Sequence, residues 1–345
     1  MSRIRKGLIA VATLVAVTMA TSQQTTASSS WSFTDDSTNL GLTGVSPHVE
    51  RTGSVDRLWY SGGPGGTSVA DCNSSGSCTT VAANWGTPIN DVTFATFGGV
   101  KRAYFKKMDP MSGTQAVYSA PCLTADCVSI GAATLTSEQM KVSSSVRAWG
   151  VPDAVELPGG AGVRIYIVES PTMSSSCPEK VASYISSDGV SFTKESGWRL
   201  EGGYVDTEVL RAKDGDWVMV MADGPGCGDR VQKLYMSTSN DGLTWAKPQK
   251  ISGSDLRRLD PTGYEISTNV FRVYYATATA GVMGDVTYTI KRGTIAIKQS
   301  SSEVSTTGKA PTTTPKKTTI TCVKGKTTKK VTGVNPKCPS GYKKK

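Results

Sequence analysis

The 345-residue chain has one histidine, His48, and no His-Glu-x-x-His, Cys-x-x-Cys or Gly-x-Ser-x-Gly motif. Zinc-protease, dithiol and nucleophile-elbow sites each need those residue types at fixed spacing, so none of them is expected. No Lys-Ser or Lys-Thr pair follows the glycine-rich runs Gly62-Gly63-Pro64-Gly65-Gly66 and Gly224-Pro225-Gly226, which therefore read as loop turns rather than phosphate cradles. EF-hand spacing is missing as well, and neither a metal nor a cofactor is expected. After the first residues no stretch sustains a helical period, which points to an all-β chain.

Acidic residues are missing from one end. Residues 309–345 carry 11 lysines and no Asp or Glu, and Arg3, Arg5 and Lys6 add three cations at the start. The formal charge of +10 therefore hides a body with 24 basic and 28 acidic residues, net −4. A mildly acidic body gives no reason to expect nucleic acid as a partner. The three leading cations precede an apolar run from Gly7 to Ala20, too short to span a bilayer comfortably, and then small polar residues. That is the pattern of a signal peptide over residues 1–27, with cleavage after Ala20 or Ala27, so the protein is expected to be secreted with no membrane span left.

In an exported chain eight cysteines read as disulfides. The simplest pairing joins Cys72 to Cys78, Cys122 to Cys127, Cys177 to Cys227, and Cys322 to Cys338, although eight cysteines allow about 105 pairings.

One unit recurs five times: a polar residue at the entry of a strand, then an aromatic-rich strand. His48 precedes Tyr60, Asp91 precedes Tyr104, Asp153 precedes Tyr166, Asp206 precedes Met219 and Asp260 precedes Tyr274, always by 12 to 14 residues. The following strands, Arg57–Ser61, Arg102–Phe105, Arg164–Val168, Trp217–Met221 and Phe271–Ala276, are β-branched or aromatic. A repeat of 43 to 62 residues built from short strands predicts a five-bladed β-propeller over residues 31–298. Its innermost strands would bring the five polar anchors to one axial pocket, with Glu169 and Asp223 on nearby rim loops.

Two segments, Ser186-Ser187-Asp188-Gly189-Val190-Ser191-Phe192 and Ser239-Asn240-Asp241-Gly242-Leu243-Thr244-Trp245, resemble shortened Asp-boxes of sialidase-type propellers. The resemblance implies a stabilising hairpin and no catalytic role, and no Arg-Ile-Pro motif accompanies it. Val151-Pro152-Asp153-Ala154-Val155 with Arg164-Ile165-Tyr166, and Asp206-Thr207-Glu208-Val209 with Asp214-Gly215-Asp216-Trp217, resemble the inner blades of arabinanase and β-xylosidase-type glycoside hydrolases, relatives of the invertase type. In those enzymes a first-blade Asp acts as base or nucleophile, a third-blade Asp tunes the acid, and a later Glu is the acid. The resemblance puts Asp153 at the tuning position and Asp206 at the acid position, with Glu208 on the same strand face and Asp91 as a further candidate. Ser46-Pro47-His48 stands where the first-blade Asp is expected, which leaves His48 either as a base or as a hydrogen-bonding or structural residue. Asp260, Glu169 and Asp223 are the expected substrate contacts. The implied function is a monomeric carbohydrate-active propeller, either glycoside-hydrolase-like or a non-catalytic glycan binder.

Residues 299–319, rich in Ser, Thr, Pro and Lys, read as a flexible linker. Residues 320–345 resemble the small Cys-bracketed, lysine-rich tails of some secreted actinobacterial proteins, and such a module should favour anionic polymers of a cell envelope.

Overall fold

The structure, a computed structural model, describes residues 30–298 and 318–345, except 63–65, 84, 86–87, 110, 112, 143–147, 171–176, 213, 225–226, 228–230, 254, 279–286 and 334–335. The signal peptide and most of the linker read from the sequence lie outside the described residues.

The body begins with β1 (Ser30–Asp35). The first sheet follows as β2 (Val45–Thr52), β3 (Val55–Ser61), β4 (Thr67–Cys72) and β5 (Cys78–Val81). The second holds β6 (Asn90–Phe97), β7 (Val100–Met108), β8 (Gln115–Pro121) and β9 (Thr134–Leu135). The third holds β10 (Asp153–Glu156), β11 (Val163–Glu169), β12 (Lys180–Ser186) and β13 (Thr193–Lys194), with β14 (Leu200–Glu201) also paired to β12. The fourth holds β15 (Tyr204–Arg211), β16 (Trp217–Asp223), β17 (Leu234–Ser239) and β18 (Gln249–Lys250). The fifth holds β19 (Arg257–Ser267), β20 (Val270–Ala278) and β21 (Thr289–Lys298), and its outermost strand is β1. Every sheet is an antiparallel meander, and the first strands pack on one another around a closed ring: β2 on β6, β6 on β10, β10 on β15, β15 on β19, and β19 on β2. This is a five-bladed β-propeller. The five aromatic-rich segments read from the sequence fall inside β3, β7, β11, β16 and β20.

Between each pair of neighbouring blades lies one apolar layer. Trp59, Phe94 and Phe105 fill the first such layer; Tyr104, Ile165 and Phe192 the next; Tyr166, Trp217 and Met219 the third; Val218, Phe271 and Ile295 the fourth; Leu42, Leu58 and Tyr274 the fifth. Sheets therefore need side chains apolar on both faces in their inner strands, which is why β11 and β16 read as nearly unbroken hydrophobic runs.

Nothing in the sequence pattern places β1, yet it closes the ring. It pairs with β21 from Ser30 opposite Lys298 to Asp35 opposite Gly293. Its end is held by charge: Arg258, only 2% exposed, puts Nη2 2.5 Å from Asp35 Oδ2, and Tyr275 donates its hydroxyl to the same carboxylate. The next residue, Asp36, accepts from Thr38 and from Arg292, contacts that draw its pKa down to about 2.

All four disulfides pair as the sequence spacing suggests, and Cys177–Cys227 links the β11–β12 loop of one blade to the β16–β17 loop of the next. The tail is a separate unit in which β22 (Thr318–Lys324) lies between β23 (Thr327–Gly333) and β24 (Lys343–Lys344), closed by Cys322–Cys338.

The two Ser-x-Asp-Gly segments form the hairpins after the third strands of blades three and four. Asp241 Oδ1 accepts the backbone N–H groups of Leu243 at 2.7 Å and Thr244 at 2.8 Å, and Asp188 does the same for Val190 and Ser191. The glycine carbonyl of each hairpin receives a tyrosine hydroxyl from the preceding blade: Tyr104 to Gly189 at 2.8 Å and Tyr166 to Gly242 at 2.7 Å. Gly242 sits at φ +71°, and a Cβ there would meet Tyr166 Oη at 2.8 Å, so only glycine allows this docking.

Replacing Asp241 by Ala should therefore cost about 1 kcal/mol, the usual worth of a carboxylate capping two backbone donors, and lower the melting temperature by about 2–4 °C. The Asp241 carboxyl titrates at about 2 because it accepts the Thr244 and Leu243 N–H groups. A lowered folded-state pKa stabilises above the unfolded value and is lost as pH falls toward 2, so the gap between wild type and Asp241→Ala should close between about pH 4 and 2. Thermal unfolding of both proteins over that range is the measurement, and a gap independent of pH would refute the capping role.

Candidate functional site

Each innermost strand reaches the axis through three consecutive residues: Ser46-Pro47-His48, Asp91-Val92-Thr93, Val151-Pro152-Asp153, Asp206-Thr207-Glu208 and Asp260-Pro261-Thr262. In blades one, two, four and five the pairing register slips at this point, a β-bulge. Its first residue takes positive φ: Ser46 48°, Asp91 55°, Asp206 53° and Asp260 49°. Asp tolerates this left-handed backbone better than most residues. The bulges sort the polar side chains into two layers. Ser46, Asp91, Asp206 and Asp260 form the upper one, with Val151 in the fifth position. His48, Thr93, Asp153, Glu208 and Thr262, opposite Trp59, Tyr104, Tyr166, Val220 and Tyr274, form the lower one.

Here the structure corrects the sequence alignment. The five anchors do lie on the five innermost strands, but they are not one ring: His48 and Asp153 belong to the lower layer, and Asp91, Asp206 and Asp260 to the upper. Counting a fixed distance back from an aromatic residue cannot detect the extra residue of a bulge. The recurring triplet itself was the usable signal.

The lower layer ties neighbouring strands together. Thr93 Oγ1 accepts the Ala154 N–H at 3.1 Å, Asp153 Oδ2 the Val209 N–H at 2.7 Å, and Thr262 Oγ1 the Val49 N–H at 3.2 Å. Thr262 donates in turn to Glu208 Oε1 at 2.8 Å, which lies 3.6 Å from His48 Nδ1. The His48 ring tilts against Phe94, 5.4 Å between centroids. Asp153 and Glu208 are neighbours, and burial followed by the Glu208 charge pushes the Asp153 pKa well above the carboxylate range.

In the upper layer Asp260 Oδ2 accepts the Ser46 N–H at 2.9 Å, and Asp206 lies close enough to Asp260 for the two carboxyls to interact. Burial, then the neighbouring Asp260, raises the Asp206 pKa strongly. Burial also raises Asp260, to about 6, against the opposing Ser46 N–H. Where blade three offers only Val151, Lys106 reaches in from β7. Its ammonium lies 3.7 Å from Asp91 Oδ2 and donates to the Trp149 carbonyl, and burial lowers its pKa.

Between the layers is a small cavity lined by Ser46, Pro47, His48, Val92, Val151, Pro152, Asp206, Thr207, Glu208, Asp260 and Pro261. The room for the centre of a water-sized sphere is about 10 Å³, enough for one water. Glu169 and Asp223 are not in this wall. Glu169 is buried with Tyr184 Oη and Lys194 Nζ, each at 2.6 Å, and Asp223 accepts the Lys233 backbone N–H. Lys106 and Thr207 are site residues that the sequence reading passed over, because a lone lysine or threonine in a β-strand carries no motif. No group of three or more His, Cys, Asp or Glu residues among the described ones is arranged to hold a metal ion.

No protein-family model matches this chain, and no curated protein matches it. Solved structures do. The endo-arabinanase of glycoside hydrolase family 43 from Bacillus licheniformis superposes with TM-score 0.53 at 12% identity, covering 75% of this chain and 96% of that one. The catalytic domain of a family-62 α-L-arabinofuranosidase from Coprinopsis cinerea gives 0.55 at 10% identity, over 78% and 97%. An N-acetylgalactosamine deacetylase from F. plautii gives 0.53 at 14% identity, over 73% and 89%. At such identities the likeness is one of fold. The chain has the five-bladed β-propeller fold found in arabinanase-type glycoside hydrolases.

Proposed function

We propose that this protein is a secreted, carbohydrate-active propeller that binds a poly- or oligosaccharide at its axial pocket without cleaving it. The observation that carries the reading is the pairing of the axial carboxyls. Glycoside hydrolysis uses two carboxyls about 5–5.5 Å or about 6.5–9.5 Å apart across the scissile bond. Here Asp206 is a close neighbour of Asp260, and Asp153 of Glu208, while the first blade offers Ser46 and His48 in place of a carboxylate. The cavity between them has room for one small group, so a sugar ring would rest above it.

Hydrolysis is the second reading, and one observation favours it. Asp153 and Glu208 share the lower layer on blades three and four, where the resemblance expects the tuning Asp and the acid, and His48 stands beside Glu208 as a base. On that reading Glu208, rather than Asp206, is the acid. The purified protein should bind an oligosaccharide from an arabinan, xylan, fructan and sialoside panel saturably and release no sugar. Turnover that falls by more than about 100-fold in Glu208→Gln, with affinity retained, would establish hydrolysis instead.

The two Ser-x-Asp-Gly hairpins are read as Asp-boxes of purely structural role. Export is supported by the leader pattern and the four disulfides, and no helix of the described residues is long and apolar enough to cross a membrane. The tail is read as an anchor to an anionic envelope polymer. Its lysines, among them Lys324, Lys329, Lys330, Lys343 and Lys344, are exposed on a disulfide-closed sheet without an acid. Retention on purified cell walls should therefore fall with salt for the full chain, as the Debye length shrinks from about 10 Å at 0.1 M to about 3 Å at 1 M, and should be weak throughout for residues 1–308. Equal, salt-insensitive retention of the two would refute the anchor.

A further inference from the structure

We infer that the axial cavity is a receptor for a protonated primary amine, so that the glycan bound here carries a free amino group, as a de-N-acetylated amino sugar does. The identification of the ligand as a glycan rests on the function proposed above; the amine site rests on the cavity itself.

Size is the first constraint. The cavity admits one group the size of water, and a primary ammonium has that size. Its walls include Pro47, Pro152 and Pro261, whose rings fix φ and leave little freedom to widen it for a larger group.

Chemistry is the second. An ammonium carries three N–H donors and no acceptor, so it needs a wall of acceptors. Asp206, Asp260 and Glu208 supply carboxyl oxygens. Thr207 is an independent sign that something is missing: it lines the cavity and is only 2% exposed, yet its hydroxyl has no hydrogen-bond partner. His48 Nδ1, in the same wall, also lacks a hydrogen bond. Unsatisfied polar atoms are rare in protein interiors, and two lining one small cavity point to a ligand group that completes them.

Charge is the third. Five carboxyls, Asp91, Asp153, Asp206, Glu208 and Asp260, crowd the axis, and the cation set among them, Lys106, is engaged by Asp91 and the Trp149 carbonyl. A water molecule would fill the space, but only a cation would favour the ionised forms of Asp206 and Asp260, whose charge burial opposes. Calcium needs six to eight oxygens, and the described residues hold no cluster of three or more His, Cys, Asp or Glu arranged for an ion. A monovalent, three-donor cation fits size, donors and charge together. N-acetylation would remove both the charge and two of the donors and enlarge the group, so an acetylated sugar should be rejected.

Calorimetric titration of the full-length protein tests this with four probes: the tetrasaccharide of glucosamine, its fully N-acetylated counterpart, a neutral arabino-oligosaccharide, and methylammonium chloride, with calcium chloride as ion control. The glucosamine tetrasaccharide should bind at least tenfold more tightly than either other sugar, and methylammonium should compete with it. Thr207→Val, which keeps the shape and removes the hydroxyl, should weaken that binding at least threefold, and Asp260→Asn at least tenfold. Equal affinity for the acetylated sugar, amine binding unchanged in both variants, or a response to calcium with none to amines would overturn the inference. Methylammonium binding without any sugar binding would leave the amine site standing and remove the glycan reading. Arabino-oligosaccharide binding with no preference for the amine would do the reverse.

Discussion

The innermost strands of this propeller face one another across an axis too narrow for a hydrophobic core, so their polar atoms must satisfy each other. The solution is a hydrogen bond from a backbone N–H of one strand to a side-chain oxygen of its neighbour: Val209 to Asp153, Ala154 to Thr93, Val49 to Thr262, and Ser46 to Asp260. A buried backbone donor without a partner costs roughly what a lost hydrogen bond does, so each of these side chains is constrained by the fold before any ligand is considered. In four of the five inner strands a bulge at this point inserts one residue against the neighbouring strand, and its first residue takes positive φ.

That double duty explains the electrostatics. Carboxyls that accept backbone N–H groups are drawn toward ionisation, while burial and neighbouring carboxyls oppose it. For Asp153, Asp206 and Asp260 burial dominates, and all three are held above the usual carboxylate range. The acids of this ring are thus held in place by the strands they join.

Closure is a second constraint, and it lies far from the axis. The fifth sheet is completed by β1 from the chain's other end, and the nearly buried Arg258 fixes that strand through Asp35. A propeller sealed in this way resists splaying of its first and last blades, which keeps the Ser46 to Asp260 contact, and with it the wall of the cavity, in register.

Much of the fold was legible in the sequence because it depends on local pattern. Aromatic strands at a near-regular pitch, turn residues between them, and cysteines at short separations are properties of neighbouring residues, and they indicated five sheets and the Cys72–Cys78 and Cys122–Cys127 disulfides, whereas Cys177–Cys227 joins residues 50 apart. The polar entry to each inner strand was legible too, as a set of candidates. Which layer each candidate occupies was not, because a bulge shifts the register by one residue with no signature beyond a triplet whose meaning appears only when five strands are brought together. The place of β1, the reach of Lys106 into the gap left by Val151, and the unpartnered Thr207 hydroxyl were decided by the tertiary structure alone. Each depends on contacts between blades tens to hundreds of residues apart, where packing and the need to satisfy buried polar atoms govern and local pattern is silent.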